Sequence, residues 1–197
     1  MLNPEPLDGY LDALQQDMNA LRVLFSSEIF ELFSFDVKRH KKVVFIAVGK
    51  SYLASVVSVK IANSYGLKWY ALNAQEALHG DLGIVNDSDL VVLVSKSGET
   101  KELIDVFDLI PHNTAVVLTF SDNFENSLQK ERVLYRFNLP ICSEASIFEH
   151  PPISSTILIQ LFINTLVQKV VDGAFMEDYA KNHAAGAIGA RIEERSI

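Results

Sequence analysis

The stretch LVVLVSKSGETKE, residues 90–102, decides the fold. Its five consecutive apolar residues, Leu90 to Val94, are followed by small polar residues, and a helical pattern begins at Thr100. An uninterrupted apolar run of this kind is typical of a strand that is buried on both faces of a parallel sheet. The stretch therefore predicts a strand, a polar loop and a helix, which together form the repeating unit of an α/β fold.

The polar loop of this stretch has two interpretations. Its hydroxyls and backbone N–H groups lie between the strand and the next helix, which is where such sheets bind anions. The residues that offer these groups are Ser95, Ser97, Gly98 and Thr100. Alternatively, Ser97 or Thr100 only caps the helix, with Glu102 completing its first turn. The loop by itself supports both interpretations equally.

Length and composition favour a single domain over residues 1–197. Of the 197 residues, 49% are hydrophobic, so one domain can bury a large core. We expect N-terminal helices at about 7–38, a sheet core at about 43–171 and a C-terminal tail at about 173–197. The formal net charge of −8 argues against a nucleic-acid or anionic-membrane partner, and the basic run at residues 38–42 is too short to bind nucleic acid.

The N-terminal segment lacks the basic start and apolar run of a signal peptide. No other segment is long and apolar enough to be predicted as a membrane span. The single cysteine, Cys142, excludes an intrachain disulfide and a cysteine-rich metal site. We therefore expect a soluble cytoplasmic protein that binds no metal and no membrane.

Four more strands are predicted around the central one. Apolar or β-branched runs occur at residues 43–48, 68–72, 114–119 and 133–138, and helical patterns or loops separate them. This alternation predicts a doubly wound α/β fold, a three-layer αβα sandwich with a five-stranded parallel sheet.

Two further junctions beside helices carry hydroxyls. They are Gly49-Lys50-Ser51, after the first strand, and Ser154-Ser155-Thr156, before an apolar helix at residues 157–171. The first junction is not a P-loop, because the first glycine of that motif would fall on Val44. No G-x-G-x-x-G motif occurs either, so no motif in the sequence favours ATP or a dinucleotide as the ligand.

This set of motifs resembles the sugar isomerase (SIS) domain family and, within it, the D-arabinose 5-phosphate isomerases. The shared motifs are GKS at 49–51, EALHGDLG at 76–83, SKSGET at 95–100, EA at 144–145, PISST at 152–156 and NHAAGAIG at 182–189. They occur in the family's order and cover about residues 10–192. The resemblance implies the SIS fold, a sugar-phosphate ligand and no cofactor.

The chain departs from the family pattern at three places. Leu72-Asn73 stand where the family often has His-Pro, Ile153 replaces a threonine, and Ala184 replaces the proline that follows His183. Longer members also carry a pair of CBS domains, so the resemblance implies a SIS-only form here. The departures keep open an isomerase of another sugar phosphate, such as a hexulose or heptulose phosphate.

The resemblance implies an aldose–ketose isomerase that interconverts D-arabinose 5-phosphate and D-ribulose 5-phosphate. Such a reaction moves a proton through an enediolate and needs a base, donors for the oxyanion and a phosphate anchor. The implied catalytic residues are Lys50, Glu99, Glu144, His183 and His79. The implied substrate-binding residues are Gly49, Ser51, Ser95, Ser97, Gly98, Thr100, Ser154, Ser155 and Thr156.

The chemistry of the side chains suggests individual roles. Glu99 and Glu144 are candidate bases, because a partly dry cleft raises the pKa of a carboxyl. Lys50 would polarise the carbonyl, and His79 or His183 would open the sugar ring or move protons between oxygens. Purely structural interpretations of these residues remain open. Glu99 could complement the helix dipole, and Glu144 or Lys50 could be an ordinary surface charge. His79 could hold its own loop or contact a neighbouring subunit.

The resemblance also implies a homodimer or homotetramer in which His183 reaches into the cleft of a neighbouring subunit. In the family the reaction feeds the synthesis of Kdo, a sugar of lipopolysaccharide or capsule. The rival function is a non-catalytic phosphosugar-binding regulatory module, which would keep the serine loops without a base and an acid. The joint presence of Lys50, Glu99, Glu144 and His183 favours the isomerase, because binding alone does not require all four.

Overall fold

Five parallel strands form one sheet in the computed structural model of the protein. The strands are β1 Val43–Ala47, β2 Trp69–Asn73, β3 Leu90–Ser95, β4 Ala115–Thr119 and β5 Val133–Asn138. Their order across the sheet is β2-β1-β3-β4-β5, so the direction of winding reverses between β1 and β3. The predicted five-stranded parallel sheet is confirmed, and each predicted strand has its counterpart.

Helices cover both faces of this sheet. They are α1 Glu5–Phe25, α2 Glu28–Arg39, α3 Gly49–Ser64, α4 Ala74–Ala77, α5 Lys101–Leu109, α6 Ser154–Val170 and α7 Phe175–Asn182. A 3₁₀ helix, Asp81–Ile84, follows α4. Helices α1, α2, α3 and α6 contribute to the core on one face, and α4 and α5 to the core on the other. This arrangement is the predicted three-layer αβα sandwich.

The structure describes residues 5–40, 42–111, 115–121, 132–141, 144, 152–171 and 175–183. Cys142, Ala145 and the motif residues after His183 lie outside these ranges. Within the described ranges, no helix combines the length and the apolar character needed to cross a membrane.

The central strand β3 is buried at each of its residues and lies between β1 and β4. Successive side chains of β1 and β3 face opposite layers, as the alternation along a strand requires. Phe45 and Val92 belong to the core shared with α3 and α6, whereas Ile46 and Leu93 belong to the core shared with α5. The continuous apolar run in the sequence therefore reflects burial on both faces.

An aromatic cluster joins the N-terminal helices to the sheet and to α6. It consists of Phe30 and Phe33 in α2, Phe137 in β5 and Phe162 in α6, each at most 1% exposed. The ring centroid of Phe137 lies 4.9 Å from that of Phe33 and 5.1 Å from that of Phe162. Phe30 and Phe33 of α2 therefore lie in the core, while Phe35 on the same helix is 60% exposed.

We expect Phe33→Ala to lower the free energy of unfolding by about 3–5 kcal/mol, because it removes a fully buried ring and leaves a cavity. The matched control is Phe35→Ala, which should lower that free energy by less than about 1 kcal/mol, since this ring is mostly exposed. Urea denaturation followed through the fluorescence of buried Trp69 measures both changes. Equal losses in the two variants would contradict the placement of Phe33 in the core.

Candidate functional site

A cavity of about 480 Å³, called the cleft below, lies at the carboxyl ends of β1, β3 and β4. It includes the point where the strand order reverses, which is where sheets of this type bind ligands. The lining residues are Val48, Ser51, Val94, Ser95, Lys96, Ser97, Thr100, Phe120 and Ser121. The structure therefore brings predicted binding residues from two separate junctions together in one cleft.

The loop after β3 is held in shape by its own hydroxyls. The Ser95 Oγ accepts a hydrogen bond from the Gly98 N–H at 3.0 Å and lies 2.9 Å from the Thr100 Oγ1. The Ser97 Oγ accepts a hydrogen bond from the Glu99 N–H at 3.1 Å. Gly98 has a φ of +72°, a left-handed conformation that glycine adopts without strain. The loop is thus a tight turn that depends on a glycine at this position.

The side chain of Thr100 does not cap α5. Thr100 occupies the N-cap position, but its hydroxyl bonds to Ser95 and makes no capping hydrogen bond to a helix N–H. Glu102 lies in the first turn of α5. Its carboxylate accepts hydrogen bonds from the Glu102 backbone N–H and from Gln75, and these lower the pKa of Glu102. The interpretation in which Thr100 serves only as a side-chain cap is therefore wrong.

Lys96 is a cleft residue to which the sequence motifs assigned no role. Its carbonyl oxygen accepts hydrogen bonds from the Phe120 N–H at 3.1 Å and from the Thr119 Oγ1 at 3.3 Å. Its Nζ lies 2.7 Å from the Oε1 of Glu144. Ser121 is a further cleft residue that the sequence motifs did not identify, although its position two residues after the predicted fourth strand is a signal of the same kind as the hydroxyls at the other junctions.

Glu144 is a buried carboxylate with partners on both oxygens. Its Oε1 accepts hydrogen bonds from the Lys96 Nζ at 2.7 Å and the Ser155 Oγ at 2.5 Å, and its Oε2 accepts one from the Ser155 N–H at 3.3 Å. Burial raises the pKa of Glu144, but these hydrogen bonds and the Lys96 charge more than offset burial, so the pKa lies below its usual range. The expected raised pKa is therefore wrong for Glu144, because that expectation omitted the nearby ammonium group.

The hydroxyls at the start of α6 bond within the protein. Ser155 donates to Glu144 through both its hydroxyl and its backbone N–H. The Thr156 Oγ1 donates to the carbonyl oxygen of Ile153 at 2.7 Å. Ser154 is buried. These three predicted phosphate-binding residues lie beside Glu144 and the first turn of α6, and they are not among the residues that line the cleft.

The junction after β1 places one of its three residues in the cleft. Gly49 begins α3 with a φ of +61°, and the space where its side chain would start is open. Gly49 and Lys50 are exposed, and Lys50 forms no ion pair with any residue in the described ranges. Ser51 lines the cleft. Glu99 is likewise exposed, in the loop after β3.

The two predicted histidines are not among the cleft residues. His79 is exposed in the segment between α4 and the 3₁₀ helix. The His183 ring packs on Tyr179 with centroids 4.0 Å apart, and Tyr179 packs on Tyr65 at 4.8 Å, at the end of α3. Because a helix rises 1.5 Å per residue, Tyr65 lies about 20 Å from Ser51. His183 therefore does not reach the cleft of its own chain.

Among the described residues that line the cleft, Lys96 is the one that carries a charge. Elsewhere in that part, no group of three or more His, Cys, Asp or Glu side chains is arranged to hold a metal ion. The arrangement is suited to holding a small anion through hydroxyls, backbone N–H groups and one ammonium group.

A hydroxyl-lined cleft at the switch point of a five-stranded parallel sheet defines the class, an α/β domain suited to a small anionic ligand. A family model described as the SIS domain matches residues 37–168. The chain belongs to the SIS domain family, as its motifs predicted.

The chain spans about half the length of the curated relatives it matches. An uncharacterized protein of Rickettsia prowazekii, RP505, is 30% identical over 84% of this chain and 52% of its own length. The arabinose 5-phosphate isomerase GutQ of Salmonella typhimurium is 28% identical over 77% of this chain and 47% of its own length. The structure of a candidate phosphosugar isomerase involved in capsule formation from Bacteroides fragilis has a TM-score of 0.78 at 23% identity, covering 91% of this chain and 96% of that one. The structural likeness shows a shared fold.

We expect Glu144→Gln to lower the free energy of unfolding by about 1–3 kcal/mol at neutral pH, because it removes the carboxylate that binds Lys96 and Ser155. The folded-state pKa of Glu144 is lowered, so this stabilisation is complete above the ordinary pKa of 4.5 and is lost as the pH falls through the folded-state value. Urea denaturation of wild type and variant at several pH values should show the difference shrinking below about pH 4.5.

The control for this measurement is Glu99→Gln, which removes an exposed carboxylate from the neighbouring loop. We expect it to change the free energy of unfolding by less than about 0.5 kcal/mol over the same pH range. A Glu144→Gln effect that stays constant down to about pH 3 would contradict a stabilising ionised carboxylate at this position.

Proposed function

We propose that this protein is an aldose–ketose isomerase that interconverts D-arabinose 5-phosphate and D-ribulose 5-phosphate. The observation that carries the proposal is the cleft itself, which is lined by hydroxyls from three strand ends and by Lys96, whose ammonium group is bound to Glu144. Similarity to an arabinose 5-phosphate isomerase supports the choice of sugar. As the sequence resemblance implies, this reaction would feed the synthesis of Kdo.

The cleft supplies groups that a sugar phosphate needs. Its hydroxyls belong to Ser51, Ser95, Ser97, Thr100 and Ser121. Helices α3 and α5 begin beside it, and their first turns offer N–H groups and the positive ends of the helix dipoles. Local donors of this kind act at short range and can hold a phosphate dianion despite the net charge of −8. A held phosphate also fixes the position of the sugar carbons relative to the base.

Proton transfer between C1 and C2 needs a carboxylate that can reach the substrate. Glu144 is covered and both of its oxygens are engaged, whereas Glu99 is exposed in the loop that lines the cleft. We therefore assign the carbon-to-carbon transfer to Glu99, which takes the proton from C2 of the aldose and returns a proton to C1 of the enediolate. The proton of the C2 hydroxyl passes to the C1 oxygen, a transfer suited to the imidazole of His183. Lys50, exposed at the start of α3, would stabilise the developing oxyanion.

Deuterium exchange followed by NMR tests this reaction. In D₂O the wild type should convert D-arabinose 5-phosphate into D-ribulose 5-phosphate and leave deuterium at C2 of the recovered aldose. Glu99→Gln should slow both processes by about 100-fold or more, because general-base catalysis contributes at least this much. Glu102→Gln is the matched control, since it removes a nearby carboxylate from the first turn of α5 and should leave the rate close to that of wild type.

The outcomes separate the isomerase from its rivals. Saturable binding of D-arabinose 5-phosphate without conversion or exchange would identify the non-catalytic regulatory module. Conversion of a different sugar phosphate alone would retain the reaction type and change the substrate. Equal rates for wild type and Glu99→Gln would reject Glu99 as the base.

We also propose that His183 acts in the cleft of a second copy of the chain. Within one chain its ring packs on Tyr179, which packs on Tyr65 at the end of α3, about 20 Å from Ser51. It can contribute to catalysis only if a partner subunit brings it to the cleft. In a two-fold symmetric pair, each complete site would combine Glu99 of one copy with His183 of the other.

Mixing two inactive variants tests this arrangement. Glu99→Gln and His183→Asn should each be inactive alone, while refolding equal amounts together should recover about a quarter of wild-type activity, because about half of the dimers are mixed and each has one intact site. Mixing Glu99→Gln with the double variant Glu99→Gln/His183→Asn is the control, since no intact site can form. A failure of the first mixture to recover activity would argue against a site shared between subunits.

A further inference from the structure

Lys96 stands between the cleft and Glu144. Its side chain is 46% exposed, whereas the Glu144 side chain that it contacts is 2% exposed. It also lines the cleft, and Glu144 is not among the lining residues. A ligand that enters the cleft therefore meets the ammonium group of Lys96 rather than the carboxylate behind it.

Both ends of Lys96 are held in place. Its carbonyl oxygen accepts hydrogen bonds from Thr119 and Phe120 at the end of β4, and its ammonium group is bound to Glu144. Glu144 is itself fixed, because Ser155 donates two hydrogen bonds to it from the start of α6. Lys96 therefore loses little further conformational freedom when it binds an anion.

The ammonium group of Lys96 retains donors for a ligand. A lysine ammonium has three N–H donors, and the contact at 2.7 Å to the Glu144 Oε1 uses one of them. Because the carboxylate is the buried member of the pair, the pair turns its positive end towards the cleft. An anion placed there would complete the hydrogen bonding of the ammonium group with charge-assisted bonds.

Lys50, the lysine that the sequence motifs favoured, lacks this support. It is exposed at the start of α3 and forms no ion pair within the described ranges. An unanchored lysine side chain must be ordered when it binds a ligand, and that ordering opposes binding. On these grounds Lys96 is the better-prepared of the two cations.

We propose that Lys96 is a substrate-binding residue that contacts the phosphate group of the sugar phosphate, and that Glu144 and Ser155 are positioning residues that act through it. The proposal rests on the proposed function for the identity of the ligand. The contact itself would serve any small phosphorylated ligand of the cleft, whether or not that ligand is isomerised. Glu144 then supports substrate binding and is not the base of the reaction.

Isothermal titration calorimetry on the full chain, with inorganic phosphate and D-arabinose 5-phosphate as probes, tests the contact. The informative pair is Glu144→Gln and Lys96→Met/Glu144→Gln, because both lack the buried carboxylate and they differ only in the ammonium group. Comparing these two avoids leaving Glu144 buried without its partner, which would endanger folding. We expect the double variant to bind both probes roughly tenfold or more weakly than Glu144→Gln, as for the loss of one charge-assisted hydrogen bond.

Lys101→Met is the charge control, since it removes an exposed lysine in the first turn of α5. It should bind both probes about as tightly as wild type. Equal affinities for Glu144→Gln and the double variant would overturn the assignment of Lys96. A loss in Lys101→Met as large as the loss caused by removing Lys96 would also overturn it, because the effect would then be one of general charge.

The positioning role of Glu144 is tested by NMR of the lysine side chains. The Lys96 ammonium signal, assigned by its absence from Lys96→Arg, which keeps a cation beside Glu144, should exchange slowly with water in the wild type and be lost by fast exchange in Glu144→Gln. An unchanged signal in Glu144→Gln would overturn the positioning role.

Phosphate binding that depends on Lys96, without any deuterium exchange into the sugar, would reject the isomerase and leave this proposal standing.

Discussion

The burial of β3 on both faces and along both edges is the constraint on which the rest of the structure depends. Its parallel pairing with β1 and β4 makes all three strands end at the same edge of the sheet. The loops that follow these strands therefore begin side by side at that edge. Ser51, Lys96 and Ser121 come from three separate parts of the chain and line one cleft for this reason. The geometry of the cleft is therefore a consequence of how the core packs.

The parts of the molecule with a repeating sequence pattern could be predicted. Strands β1 and β3 could be recognised because burial on both faces requires an unbroken apolar run, and α3 and α6 could be recognised from their apolar spacing. The meeting of Ser51 with the loop after β3 was predictable too, because the carboxyl ends of parallel strands share an edge. These predictions depend on local periodicity and on a general property of parallel sheets.

The contacts inside the site could not be predicted in the same way. The pairing of Lys96 with Glu144 depends on the path of a loop that has no period, so the sequence offered no reason to bring the two charges together. Without that contact the pKa of Glu144 was expected to rise, and it falls. The hydroxyl of Thr156 was expected to face a ligand, but it donates to a carbonyl in its own first turn. Residue type identified the chemistry available in the cleft, and only the three-dimensional contacts show which groups are already engaged.

The packing of α2 against α6 has a consequence for how the protein is made. Phe30 packs on Phe162, and Glu31 forms an ion pair with Lys169, which lies 138 residues further along the chain. A ribosome that adds about 5–20 residues per second needs on the order of ten seconds to cover that distance. Until α6 leaves the exit tunnel, the apolar face of α2 lacks the helix on which it packs in the folded protein. The nascent N-terminal helices therefore carry an apolar face that lacks its native partner for most of translation.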